Sequence, residues 1–98
     1  MSSKKLEVIS TEWTEDGLTL FRLRDKEEVY IIPDRFNFTL GEKIEILGWQ
    51  RDAKITRRQY IEHPAIIVHS MTLYDENGRR VDDFEFETKG ALYHRPHA

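Results

Sequence analysis

The sequence predicts an all-β chain folded as a small barrel of five to six strands, and three observations predict it. Apolar and polar residues alternate over most of the chain, with β-branched and aromatic residues at many of the apolar positions. No window spaces its apolar residues at the 3.6-residue period of a helix. Finally, glycines bracket Gly41-Glu42-Lys43-Ile44-Glu45-Ile46-Leu47-Gly48, ahead of Trp49, a polar basic stretch and the apolar run Ala65 to Leu73. A glycine-bounded strand, a long charged loop and a buried strand are the pattern of a barrel's closing half.

The first strand begins at Leu6. Leu6 and Val8 share one phase, whereas Ile9, Thr11 and Trp13 take the other. A phase slip within one strand predicts a bulge, which bends and over-twists a strand as barrel closure requires. Asp16-Gly17 marks a turn, and Leu18 to Leu23 returns as the second strand. Asp25-Lys26-Glu27 is another polar turn, followed by a third strand over Glu28 to Ile32. Pro33-Asp34 ends it, because proline has no amide hydrogen to give a ladder. Phe36, Phe38 and Leu40 alternate in a short connector and are expected to plug one end of the barrel. Gly41 permits a tight turn into a fourth strand, Lys43 to Gln50. The segment Arg51 to Pro64 reads as a long loop or as two strand extensions with a turn, and Ala65 to Tyr74 as the fifth strand. Asp75-Glu76-Asn77-Gly78 is a hairpin signal, with Val81, Phe84 and Phe86 continuing as a sixth strand.

Ninety-eight residues make a single domain, with a barrel core over about residues 6–87 and a tail over 88–98. Hydrophobic residues are 39% and charged residues 34%, enough of the former for one core. Cysteine is absent, which excludes a disulfide framework and a thiolate nucleophile. No run reaches membrane-spanning length and no apolar signal core follows Met1, so a soluble, cytoplasmic protein is the expectation. The net charge of −3 argues against a surface devoted wholly to nucleic acid. Charge is nevertheless segregated: Arg51 to Glu62 holds four basic residues against two acidic ones, and Asp75 to Lys89 holds six acidic against three basic.

The strand pattern over residues 6–74, three strands then two with Gly41 to Gly48 opening the second group, resembles the OB-fold of anticodon-binding and single-strand-binding modules. An SH3-like barrel of similar size fits the same pattern. The OB resemblance implies a ligand crossing the sheet between the first loop, Glu15 to Leu18, and the fourth, Arg51 to Pro64. Flat aromatic faces for bases and cations for phosphates are what single strands require. Arg22, Arg24, Trp49, Arg51, Lys54, Arg57, Arg58 and Tyr60 are then the candidate binding residues. Trp49, Tyr30 and Phe21 fit barrel core equally well, since alternation does not say which face points inward. Glu12, Glu15 and Asp16 are expected to bring negative charge to one edge of the groove.

Nothing in the chain announces an enzyme. The carboxylates Asp82, Asp83, Glu85 and Glu87 read as a solvated strand that protects a sheet edge. His63, His69, His94 and His97 lack metal-ligand spacing, so neither a metal nor another cofactor is expected. Phosphate-cradling glycine loops and nucleophile elbows are also missing. The sequence therefore favours a non-catalytic module binding single-stranded nucleic acid weakly through the 51–60 basic arm. The alternative is a protein-interaction module, or a subunit of a larger complex, docking through the same loop or the C-terminal strand.

Overall fold

The computed structural model describes residues 4–51 and 65–86. Six strands form where alternation predicts them, within one or two residues: β1 Leu6–Trp13, β2 Thr19–Leu23, β3 Val29–Ile32, β4 Lys43–Arg51, β5 Ala65–Tyr74 and β6 Arg80–Glu85. The described residues contain no helix. The hairpins β1–β2 and β2–β3 are antiparallel, as are the pairs β1–β4, β4–β5 and β5–β6, while β3 pairs with β5 in parallel. The ring β1-β2-β3-β5-β4 thus closes on itself, giving a small barrel-like all-β fold.

β5 is long because one of its edges serves two partners. Ala65, Ile66 and Ile67 pair with β3, and Ser70 to Tyr74 pair with β6. The predicted sixth strand is therefore a continuation of the β5 edge beyond the point where β3 ends.

Two layers of apolar side chains result. Inside the ring lie Val8, Phe21, Leu23, Tyr30, Ile44 and Met71, among others. On the opposite face of β2, β3 and β5, Leu20, Val29, Ile31, Ala65 and Ile67 form a second buried cluster. β3 and the first half of β5 are consequently buried on both faces, which suits strands paired in parallel and accounts for their unbroken apolar runs. The apolar run from Ala65 is thus the buried strand that the sequence predicts.

The register breaks in β1 between Val8 and Ser10, so the predicted bulge is present, with Val8 buried and Ile9 exposed. β4 and β5 carry further irregularities around Gly48. A Cβ at Gly48 would stand 2.9 Å from Ser70 Oγ, so a side chain there requires the Ser70 hydroxyl to turn away.

The connector plugs its end of the ring with two of the three predicted residues. Phe38 is buried 4.7 Å from Phe21, and Phe36 packs edge-on against Phe84 at 4.9 Å. The Phe36 amide donates to Thr19 Oγ1, which donates in turn to the Asp34 carbonyl. Leu40, expected to share this role, is instead exposed. Gly41 adopts φ +100° and gives its amide to the Val8 carbonyl, while Val8 donates to Glu42. That turn directs the chain into β4 and leaves Leu40 outside. Gly41→Ala should cost about 1–2 kcal/mol, the usual strain of a left-handed L-residue. Urea unfolding measures it, and an unchanged midpoint would show that the turn relaxes freely.

Candidate nucleic-acid interface

β1 pairs with β4 for only two residues, Leu6 opposite Ile44 and Glu7 opposite Lys43. Beyond that pairing β4 runs on to Arg51, past a surface opening lined by residues of both strands. The opening is a cleft of about 230 Å³. Its floor is apolar, formed by Leu6, Ile46 and Ile66. Trp49 and Arg51 from β4 make one wall, and Lys26 and Glu28 from the β2–β3 turn line it together with Tyr30.

Register explains why Trp49 is half-exposed although it lies on an inward phase. It stands opposite Val68, and Arg51 stands opposite Ile66, both core residues. Paired residues share a face, so Trp49 and Arg51 point toward the barrel axis. They lie beyond the β1–β4 pairing, however, and Trp49 keeps 51% of its surface in solvent. The Arg51 guanidinium is 5.8 Å from the indole centroid, within cation–π range. Tyr30 has its ring stacked on Phe21 in the core and its hydroxyl at the cleft, donating to Glu28 Oε1 at 3.4 Å. Burial, reinforced by the Glu28 carboxylate, pushes the Tyr30 phenol up to about 12, with Arg51 and Arg22 opposing.

The eight candidates therefore separate. Trp49 and Arg51 come together. Arg22 lines a different cleft, with Ser10, Thr11 and Glu12, and reaches the Glu27 carbonyl at 3.4 Å. Arg24 is paired with Glu7 at 2.9 Å, and their hydrogen bond holds the Glu7 carboxyl below its ordinary range and raises the guanidinium. This pair is well exposed and contributes little to stability. Lys54, Arg57, Arg58 and Tyr60 lie outside the described residues, as do His63, His94 and His97.

Lys26, Glu28 and Tyr30 were absent from the candidates because Asp25-Lys26-Glu27 reads simply as a turn. Only the parallel β3–β5 pairing, which sets Tyr30 beside Ile66, brings that turn to the cleft. The acidic first loop is correspondingly distant. β2 runs back along β1 with Leu23 opposite Val8, so the Thr14–Leu18 turn lies at the other end of β1. Eight strand residues span roughly 20 Å, more than two Debye lengths at physiological salt. The expected repulsion from Glu15 and Asp16 is screened at the cleft, where Glu28 is the nearer carboxylate.

At the far end, Trp13 donates its indole N–H to the Phe36 carbonyl at 3.0 Å and carries Arg35 over its ring. That contact ties Trp13 to the plug. Among the described residues no group of three or more histidines and carboxylates is placed to hold a metal ion, and no helix is long and apolar enough to cross a membrane. Comparison with protein-family models, with characterised proteins and with solved structures found no match to this chain.

Proposed function

We propose that the chain is a non-catalytic OB-like module that binds single-stranded nucleic acid at the Trp49–Arg51 cleft. The observation that carries this reading is a half-exposed indole beside a guanidinium, over an apolar floor, at the surface opening. A base can stack on the indole while its phosphate meets Arg51. Lys54, Arg57 and Arg58 follow closely in the sequence and add cations for neighbouring phosphates. The five-stranded ring, with its short β1–β4 pairing, is compatible with the small barrel of an OB-fold. Fold alone does not assign function, so the reading rests on the cleft.

Trp49→Ala should weaken binding of a mixed-sequence single-stranded oligonucleotide by about 1–3 kcal/mol, the worth of one base–aromatic stack. Its slope of affinity against salt should stay unchanged, because stacking releases few counterions. Arg51→Ala should instead flatten that slope by roughly 0.7, one phosphate on a single strand. Fluorescence anisotropy with a labelled oligonucleotide measures both, and a melting curve checks each fold. Folded wild-type protein giving no anisotropy change at low salt would refute the proposal.

The second reading, a protein-docking surface, draws on Leu47. This bulge residue is 55% exposed two positions from Trp49, and an apolar side chain beside Trp and Arg suits a protein hot spot. Absence of nucleic-acid binding would make it the better account.

A further inference from the structure

We infer that the cleft is a pocket for a single base and that Glu28 and Lys26 select guanine there; this rests on the single-strand reading above. At about 230 Å³ the cleft is smaller than the ~300–1,000 Å³ of sites for drug-sized ligands. One ring system against Trp49 suits it better than a longer molecule.

Besides Arg51, two charged residues line the cleft, and they are of opposite kind. Glu28 is an acceptor, and Lys26, from the same turn, is a donor. The Tyr30 hydroxyl engages Glu28 Oε1, fixing the carboxylate at the rim. An ionised carboxylate has about four lone-pair sites, so this contact leaves acceptor capacity toward the cleft. Guanine offers two adjacent donors, N1–H and the 2-amino group, which match a carboxylate in bidentate fashion. Its O6 and N7 are acceptors that suit a lysine ammonium. Thymine and uracil offer one N–H flanked by two carbonyl oxygens, which repel a carboxylate. Adenine and cytosine offer an amino group beside a ring-nitrogen acceptor, and so a single donor position. Stacking on Trp49 does not discriminate among bases, and Arg51 is engaged by phosphate in the reading above, so selection falls to Lys26 and Glu28.

The test is a set of dT nonamers whose central base is dT, dG, dA, dC or deoxyinosine, titrated by anisotropy against the full chain. Wild type should bind the dG nonamer about tenfold or more tightly than all-dT, as for a charge-assisted hydrogen bond. Deoxyinosine, which lacks the 2-amino group, should lose most of that preference. Glu28→Gln should reduce the dG preference below about threefold by weakening dG binding while all-dT binding holds or tightens, because the charge that repels the thymine carbonyls is gone; a merely misfolded variant would lose both. Equal binding of all five nonamers by wild type would overturn the guanine inference and leave the single-strand reading standing. A dG preference surviving intact in Glu28→Gln would overturn the role of Glu28. No binding of any nonamer would overturn both.

Discussion

Replacing Phe21 by alanine should remove about 3–5 kcal/mol of stability, the usual cost of emptying a buried aromatic site. Phe21 is 1% exposed and holds together parts of the core that are distant in sequence. Its ring stacks on Tyr30 at 5.5 Å and lies 4.7 Å from Phe38 of the connector. Those contacts join β2, β3 and the plug, so the lost surface has no single neighbour that can fill the space. Small domains have about 5–15 kcal/mol in total, so the variant should unfold at far lower urea and fall close to instability at 37 °C. Leu40→Ala is the control. With Leu40 at 56% exposure, it should stay within about 0.5 kcal/mol of wild type. Equal losses in the two variants would contradict the placement of the core.

Alkaline pH should destabilise the wild type through Tyr30 and leave Tyr30→Phe without that component. The folded phenol titrates at about 12 against an ordinary value of 10.0. Above pH 10 the unfolded chain releases this proton while the folded chain keeps it, so the unfolded state binds fewer protons and stability falls as pH rises. The contribution is fully present below pH 10 and is lost between pH 10 and 12, at no more than about 1.4 kcal/mol per pH unit, with solvent screening at the cleft holding the total below about 3 kcal/mol. Tyr74, whose hydroxyl donates to Glu45 Oε1, is shifted upward as well, and lysines also titrate in this range. The informative quantity is therefore the difference between wild type and Tyr30→Phe, followed by urea unfolding from pH 8 to 12. The two curves should separate above pH 10, the wild type falling below Tyr30→Phe, if the phenyl ring packs as the phenol does. Parallel curves would mean that the phenol ionises in the fold as readily as in the unfolded chain.

Much of the strand layout was legible because its causes are local. Ala65–Tyr74 is bounded by proline on one side and a turn sequence on the other, and its strand runs between those limits. The Val8–Ile9 phase slip is a bulge because two successive apolar residues cannot both face inward on a pleated strand. The Asp75–Gly78 turn follows from its side chain, since Asp75 Oδ1 accepts from the Asn77 and Arg79 amides. Leu40 shows where the pattern stops informing: it continues the Phe36–Phe38 alternation, yet the turn at Gly41 leaves it exposed.

The sequence by itself determined an all-β chain and the approximate limits of its strands. Those properties depend on period, propensity and turn chemistry, which neighbouring residues settle among themselves. Tertiary structure alone decided that β3 and β5 lie side by side in parallel, joining residues more than thirty positions apart. It also decided that β1 and β4 pair over only two residues, and that Trp49, lying beyond them, is half-exposed rather than buried. The same non-local pairings carry Lys26, Glu28 and Tyr30 to Arg51, while Arg22 and Arg24 on the intervening strand are directed elsewhere. A period of two tells which residues share a face, but only the closed ring of hydrogen bonds determines which face is inside and where the inside meets water.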